Sequence, residues 1–290
     1  NWSPQLVPAN ATHAAIISIP GVYTVNYDIN ANLGGLSITN PNADLDILAN
    51  HSLFISATDM HNDGLITINP LAAAANTYLE FAQSNKLDGT GTIVLNAVPG
   101  NPVTAYIQTS AGATLTQAPD HTISGIGRIY ALLVNDGTIR ADVNGQALEL
   151  LSAAKSNGGL MTAVNGATLL FNGIPITQDS GGIIRADNGT VLLHSASITG
   201  GTLQGISGGQ ISTNPGTGSA LADCTSEGAL NIAANSSLSI YSPGLTQNGL
   251  FTINPTAADA TTYLQYQQSG LLAGTGELVL NASANLATAY

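Results

Sequence analysis

Basic residues are scarce in this chain of 290 residues. Five Lys and Arg stand against 17 Asp and Glu, which gives a formal net charge of -12 at pH 7. Nucleic-acid binding depends on clustered Lys and Arg that neutralise phosphates, so this balance excludes a nucleic-acid partner. It also disfavours anionic membranes and polyanionic substrates. Charged residues of both signs make up only 8%, so Asn, Thr, Ser, Gln and Gly must cover the surface.

Cysteine and long apolar runs are also lacking, and each absence excludes a class of protein. Cys224 is the single cysteine, so the chain has no intramolecular disulfide and no Cys-based zinc site. We predict that its thiol is buried and inert, since no basic neighbour activates it. No apolar run reaches the roughly 18 residues of a membrane span, so we predict no transmembrane segment. The chain starts at Asn1 without a signal peptide, and we expect a mature form or a piece of something longer.

Three stretches repeat one pattern of a glycine, a short alternating run, an Asn-Gly turn and a second alternating run. They read GTIRADVNGQALEL (137–150), GLMTAVNGATLLF (159–171) and GIIRADNGTVLLH (182–194). Alternation with period two is typical of a strand with one buried face, and Asn-Gly favours a tight turn. The inward positions predicted for the first run are Ile139 and Ala141, Met161 and Ala163, and Ile184 and Ala186. Those predicted for the second run are Leu148 and Leu150, Leu169 and Phe171, and Leu192 and His194.

The spacing of these stretches predicts the fold. They begin at a nearly constant interval, and similar glycine-led openings recur at Gly64, Gly91, Gly112, Gly228, Gly249 and Gly276. Short strands and turns at such a period predict an all-β fold, a right-handed parallel β-helix (β-solenoid) of about 12 coils of about 24 residues. We predict that residues 1–15 form an irregular lead-in or N-terminal cap and that residues 16–290 form the solenoid. The stretch 70–83 is a short helix or an extended excursion.

The sequence also contains a second internal repeat, which is longer than one coil. The segment 64–97 matches the segment 249–282, and the similarity extends to 45–106 and 230–290. We therefore expect the chain to be a segment of a longer array of stacked coils. A stack of coils exposes unpaired strand edges at its two ends. We therefore expect copies of the chain to associate end to end.

The coil NDGTIRADVNGQALEL (135–150) resembles the repeats of large bacterial secreted and surface proteins. These include autotransporter passenger domains and filamentous-haemagglutinin-like adhesins, and GVYTVNYDINANLGGLSITNPNADLDI (21–47) resembles their opening coils. The resemblance covers most of residues 16–290. It implies an extracellular or cell-surface location and a role as an adhesin, fibre or scaffold, and it assigns no binding residue.

Function follows from this fold as an expectation. We predict a structural, secreted repeat module without catalysis, an adhesin stalk or surface-fibre segment, whose partners are further copies of itself or a host or cell-surface glycan or protein. A tailspike-like receptor-binding protein is one alternative. A carbohydrate-active β-helix enzyme is the other, and it needs paired carboxylates about 5–9.5 Å apart and aromatic sugar platforms. The available tyrosines show no column in the sequence: Tyr23, Tyr27, Tyr78, Tyr130, Tyr241, Tyr263 and Tyr266.

No residue set predicts a catalytic, cofactor or metal site. The nearest candidates for a metal are Asp44 and Asp46, which share one strand face, and Asp59, His61 and Asp63 in DMHND (59–63). The first pair is interpreted as solvated or turn-capping, with calcium as the alternative because hard cations favour clustered oxygens. The second group is interpreted as an exposed loop between coils, with a metal site as the alternative.

Two arginines at equivalent coil positions predict surface ion pairs. Arg140 precedes Asp142 by two residues and Arg185 precedes Asp187 by two residues, so each pair shares a strand face. We expect an outward ladder of exposed ion pairs, each of which stabilises the fold by about 0–1 kcal/mol. A ligand-binding stripe is the alternative.

Overall fold

A computed structural model describes residues 7–283 and residue 289. Within these residues the regular structure is β-strand apart from one 3-10 helix, Pro102–Thr104. The strands form stacked parallel coils, a β-solenoid of about 12 turns with a coil spacing of about 22 residues. The predicted all-β solenoid is confirmed, and its coils are slightly shorter than predicted.

The chain divides into two compact units, with the boundary between Ile139 and Arg140. The strands of the first unit are β1 (Ala14–Ile17), β2 (Tyr23–Tyr27), β3 (Ala31–Leu33), β4 (Gly35–Ile38), β5 (Ala43–Ile47), β6 (Ser52–Ile55), β7 (Asp59–Asn62), β8 (Leu65–Ile68), β9 (Thr77–Phe81), β10 (Asn85–Asp88), β11 (Thr92–Asn96), β12 (Ala105–Thr109), β13 (Thr114–Gln117), β14 (Thr122–Ile129) and β15 (Leu132–Asn135). Strand β16 (Thr138–Ala141) contains the boundary. The strands of the second unit are β17 (Ala147–Leu151), β18 (Lys155–Asn157), β19 (Leu160–Val164), β20 (Thr168–Asn172), β21 (Pro175–Gln178), β22 (Ile183–Asp187), β23 (Thr190–His194), β24 (Ser197–Thr199), β25 (Thr202–Ile206), β26 (Gln210–Thr213), β27 (Gly218–Ile232), β28 (Ser237–Gln247), β29 (Leu250–Ile253), β30 (Tyr263–Tyr266), β31 (Leu271–Ala273) and β32 (Glu277–Leu280).

Each coil of the first unit contributes one strand to each of three parallel columns. The first column runs β1–β4–β7–β10–β13–β15. The second runs β2–β5–β8–β11–β14, and the third runs β3–β6–β9–β12–β14. Because every strand pairs with the strand one coil away, the same coil position recurs in a column, as stacking requires.

The second unit is built in the same way. Its columns run β17–β20–β23–β26–β27–β29–β32, β18–β21–β24–β27–β28–β30 and β19–β22–β25–β27–β28–β31. Strand β27 takes part in all three columns because it continues for 15 residues around the coil without a break.

The core of each unit consists of the inward residues of these columns. In the first unit Leu45, Ile66, Ile93 and Ile123 occupy successive rungs in register, and all are buried. One coil cannot cover its own inward face, so each rung is buried by the coils on either side. Burying a Leu or Ile side chain contributes about 1.5–3 kcal/mol, and this term holds the stack together.

The predicted inward positions of the three repeated stretches are buried except in the last strand. The prediction that Leu192 and His194 face inward is wrong. Val191 and Leu193 are buried there instead, and Val191 is in register with Leu169. The turn before this strand is one residue shorter than the corresponding turn in the preceding coil. A shift of one residue moves every side chain of a strand to the opposite face.

Several of the predicted glycine openings are points of close backbone approach. A Cβ on Gly91 would collide with the carbonyl oxygen of Gly64, and a Cβ on Gly249 would collide with the backbone of Gly228. Glycine is required at such places because any side chain would push the coils apart. Gly112 differs, since it lies in a turn with φ +80° and has open space beside it.

The stretch 70–83 contains no helix. It forms a turn followed by strand β9. The extended excursion, one of the two predicted alternatives, is the one that the structure contains.

Candidate functional site

Four aromatic side chains form a column on the outer face of the first unit. We call Phe54, Tyr78, Tyr106 and Tyr130 the aromatic strip. The rings of Tyr78 and Tyr106 are stacked, with centroids 4.7 Å apart and an interplanar angle of 11°. Phe54 meets Tyr78 edge to face at 5.7 Å, and Tyr106 meets Tyr130 edge to face at 5.4 Å. Both arrangements are preferred by aromatic quadrupoles.

The strip faces outward because its residues alternate with the core. Tyr78 precedes the buried Leu79 on β9, and Tyr106 precedes the buried Ile107 on β12. Tyr78 and Tyr106 are in direct register. The four rings therefore cross four successive coils of one sheet.

A carboxylate and an amide lie beside the strip. Glu80 and Gln108, which we call the polar pair, are in register with each other on β9 and β12. Glu80 is also in register with Phe54, and Tyr130 donates its backbone N–H to Ile107 next to Gln108. The order along this row is Phe54, Glu80, Gln108 and Tyr130, so an aromatic ring stands at each end of the polar pair.

The carboxylate of Glu80 is held in one orientation. Gln108 donates from Nε2 to Oε2 at 2.6 Å, and Ser110 donates from Oγ to Oε1 at 2.8 Å. Each carboxylate oxygen has a second lone pair that can accept a further hydrogen bond. The site therefore presents two oriented acceptors between aromatic rings.

Arg128 lies at one end of the strip. Its Nη1 donates to the hydroxyl of Tyr130 at 3.0 Å, and its guanidinium carbon is 6.0 Å from the Tyr130 ring centroid. Burial raises the pKa of Tyr106 to about 12, and the nearby Tyr78, Tyr130 and Glu80 act in the same direction. The Tyr106 hydroxyl is therefore neutral at physiological pH and can donate a hydrogen bond.

The prediction that the tyrosines form no column is wrong for Tyr78 and Tyr130. Their column includes Phe54 and Tyr106, which the sequence analysis did not single out. The interval from Tyr78 to Tyr106 is longer than the two intervals that flank it, so no single period reveals the column. A local signal was present, since TYLEF (77–81) and AYIQT (105–109) share a Tyr, an apolar residue and then a Glu or Gln.

Asp44 and Asp46 lie on the outer face of β5, as predicted. Burial raises the pKa of Asp46, the negative charge of Asp44 raises it further, and a hydrogen bond from Thr67 opposes both. Asp46 is in register with Thr67 on β8.

The residues of DMHND do not form a loop, since Asp59–Asn62 is strand β7. His61 lies between two carboxylates, with Nε2 2.8 Å from Asp63 and Nδ1 2.7 Å from Asp88. Hydrogen bonds first with Asp63 and then with Asp88 raise its pKa. Asp59 accepts instead from Thr58 Oγ1 at 3.0 Å. Asp88 was not among the predicted residues, because it lies one coil further along the chain, in register with His61.

Both imidazole nitrogens of His61 are occupied by hydrogen bonds, so neither is directed at an ion. In the part of the chain that the structure describes, no group of three or more His, Cys, Asp or Glu side chains is arranged to hold a metal.

Polar ladders cover the outer face of the second unit. Arg140 donates to Asp142 at 2.9 Å, as predicted. Arg185 instead donates to Gln204 at 2.8 Å, and Gln204 donates to Glu227 at 2.9 Å. These last two contacts connect successive coils rather than neighbours on one strand.

Two reactive side chains of the second unit lie inside it. Cys224 is buried, as predicted, and burial raises the pKa of its thiol to about 12. Lys155 is 2% exposed and donates to the carbonyl oxygens of Leu151 at 3.2 Å and Ala153 at 2.7 Å. Burial lowers the pKa of Lys155 to about 7.

A cavity of about 140 Å³ lies in the first unit near β1–β3. Its lining is mostly apolar and includes Ile17, Val25 and Leu45, with Asp28 as the one carboxylate among the lining residues that the structure describes. Such a lining does not supply the two carboxylates that glycoside hydrolysis needs.

Comparison with known proteins does not place the chain in a family. No family model, curated protein or solved structure matches the chain. Across residues 7–283 and 289, no helix has the length and apolar character to span a membrane.

Proposed function

We propose that this chain is a secreted structural module of a cell-surface adhesin or fibre and that it has no catalytic activity. The observation that carries the proposal is the continuous stacking of parallel coils within each unit, with each rung of the core buried by its neighbours. Such a fold places long outer faces on a rigid support. A stalk or scaffold needs this property.

The surface chemistry supports an extracellular role. Charged residues are few and the net charge is -12. Contacts between coils on the outer face include the pairs Arg185–Gln204 and Gln204–Glu227, in which the amide of Gln204 bonds to a guanidinium and to a carboxylate. The inert, buried Cys224 has no redox role that would require a reducing compartment.

The experiment that tests the structural role is small-angle scattering of the complete chain, with electron micrographs of the same sample. We expect elongated particles or filaments. A pair-distance distribution typical of a compact globular monomer would contradict the proposal. Sedimentation at increasing protein concentration tests the proposed end-to-end self-association, since open-ended stacking gives a growing series of species. An obligate trimer would instead favour a tailspike-like receptor-binding protein.

A carbohydrate-active enzyme is the second candidate function, and the pair Asp44 and Asp46 favours it. The pKa of Asp46 is raised by burial and by Asp44, and a carboxyl group with a raised pKa is typical of the general acid of a glycosidase. The test is a screen of neutral and acidic glycans for cleavage by the wild type and by Asp46→Asn. Cleavage that Asp46→Asn abolishes would establish the enzyme, and no cleavage in any sample would support the structural role.

A further inference from the structure

We propose that the aromatic strip and its polar pair form a binding site for glycans made of uncharged pyranose units. The proposal deepens the adhesin role and rests on it, since it names the partner of that role and the residues that contact it.

The arrangement of rings around the polar pair fits the two kinds of surface that a sugar presents. The C–H faces of a pyranose are apolar and pack on aromatic rings, while its hydroxyls need hydrogen-bond partners in the ring plane. Phe54 and Tyr130 stand at opposite ends of the polar pair, and the stacked Tyr78 and Tyr106 run beside it. A few oriented polar groups inside an apolar surround are typical of small-molecule sites.

The polar pair is ordered before any ligand arrives. Gln108 and Ser110 each hold one oxygen of the Glu80 carboxylate. Rotamer entropy is therefore already lost in the free protein, which lowers the cost of binding. The remaining lone pairs of the carboxylate can accept from two neighbouring sugar hydroxyls, and hydrogen bonds to a charged acceptor are the stronger kind.

The charge of the site selects for uncharged sugars. Glu80 lies at the centre of the strip, and the chain as a whole carries a net charge of -12. A sulfate or carboxylate on the sugar would be repelled by both. Arg128, at one end of the strip, donates from Nη1 to the Tyr130 hydroxyl.

The dimensions suit a short oligosaccharide. The strip crosses β6, β9, β12 and the end of β14. Strands spaced about 4.8 Å apart give a strip of about 14 Å, which matches about three pyranose units in a row. A glycan chain would then run across the strands, with its units following successive coils.

The test measures binding of the complete chain to immobilised and free cello-, manno- and chito-oligosaccharides by a glycan array and by titration calorimetry. We expect binding to at least one of these neutral series and none to sulfated or sialylated glycans. Tyr106→Ala should weaken binding about tenfold or more because it removes the central ring of the strip, which contacts both Tyr78 and Tyr130. Tyr106→Phe keeps the ring and should bind within about twofold of the wild type.

Two further variants separate binding from folding. Glu80→Gln keeps the size of the side chain and should weaken binding several-fold without loss of structure. Tyr241→Ala removes an outward tyrosine of the second unit that lies outside the strip, and it should bind like the wild type. Circular dichroism of each variant checks that the coils are intact.

The proposal would be overturned by the absence of binding to any neutral oligosaccharide, by equal loss of affinity in Tyr241→Ala and Tyr106→Ala, or by wild-type affinity in Glu80→Gln. Binding restricted to anionic glycans would overturn it as well. None of these results alters the scattering that tests the structural role, so a failed glycan site and a failed structural module give different data.

Discussion

Thr77 and Thr262 occupy equivalent positions of the long repeat and make the same two hydrogen bonds. Thr77 Oγ1 accepts from the backbone N–H of Asn50 at 3.1 Å and donates to Ala75, while Thr262 Oγ1 accepts from Asn235 at 3.2 Å and donates to Ala260. Both threonines are fully buried. The long sequence repeat is thus also a repeat of buried polar contacts, and each unit contains one copy.

The corner before each threonine is repeated as well. Asn69 has φ 65° and Asn254 has φ 58°. The side-chain amide of Asn69 donates to Ala73 and accepts from the Ala73 N–H, and the amide of Asn254 does the same with Ala258. Asparagine tolerates the left-handed region and supplies both hydrogen bonds, which explains why it occupies both corners.

We expect Thr77→Val to lower the free energy of unfolding by about 0.5–1.5 kcal/mol, since it removes the acceptor of the part-buried hydrogen bond from the Asn50 N–H. Thr262→Val should cost a similar amount. Urea denaturation followed by circular dichroism measures both. Thr24→Val, on the outer face of β2, is the control and should change the midpoint little. Equal midpoints for all three variants would contradict the assigned role.

The stacked glycines give a second prediction. Gly249→Ala places a methyl group against the backbone of Gly228, so the coils must separate locally. Overpacking of this kind costs about 1–3 kcal/mol. Gly181→Ala is the matched control in the same unit, because the nearest atom to its new Cβ is 3.7 Å away. Thermal unfolding should show a clear loss of stability for Gly249→Ala and almost none for Gly181→Ala. The reverse order would show that close backbone approach is not the reason for glycine at these positions.

The fold was predictable because its signal repeats. Glycine spacing, Asn-Gly turns and period-two alternation all indicate stacked coils, and the inward Met161 and Ala163 lie in register with Ile184 and Ala186 as that pattern requires. The orientation of β23 was not predictable to the same degree. One residue fewer in a turn exchanges the inward and outward faces of the strand that follows. The period-two alternation within a strand does not show how many residues the turn before it contains.

The candidate site was less predictable because its residues come from different coils. The residues of the column from Phe54 to Tyr130 are separated in the sequence by coils of unequal length. Asp88 likewise contacts His61 from the next coil. A sequence shows which residues alternate within a strand. It does not show which rungs become neighbours when excursions such as 70–76 lengthen one coil.

Lys155 provides a prediction on pH. Its folded pKa is about 7 against an ordinary value of 10.5, because burial penalises the charged form. The unfolded chain binds more protons than the folded chain between these two values, so this lysine makes stability rise with pH from about 7 to about 10.5. Below about pH 7 the buried amine is charged, and its burial then lowers the free energy of unfolding by the full amount. Lys155→Met should therefore raise the free energy of unfolding by about 2–4 kcal/mol at about pH 6 and by much less at about pH 10.

Chemical denaturation of Lys155→Met and the wild type at both pH values checks this expectation. Lys86→Met is the control, since Lys86 is outward and its side chain is 58% exposed, so this substitution removes no buried ammonium group. A Lys155→Met variant that is destabilised equally at both pH values would show that the buried ammonium carries no penalty.

His61 and its two carboxylates give the opposite dependence on pH. Its pKa is raised by Asp63 and Asp88, so the stability that its positive charge contributes is complete below the ordinary value of 6.5 and is lost as pH rises through the folded pKa. The pKa of Asp63 is lowered, chiefly by the Thr90 backbone N–H and also by His61. Its contribution is present above the ordinary value of 3.8 and is lost as pH falls through the folded pKa.

The cluster should therefore stabilise the fold most between about pH 4 and about pH 6.5. Titration of the His61 ring by NMR should give a pKa above the ordinary value, and Asp88→Asn should lower that pKa toward it. Lys86, 3.7 Å from Asp88, opposes the effect of the carboxylates only weakly because it is largely exposed. Asp59→Asn is the control, since Asp59 bonds to Thr58 rather than to His61. A His61 pKa that responds to Asp59→Asn as strongly as to Asp88→Asn would mean that general charge, rather than the two hydrogen bonds, sets the proton affinity of this histidine.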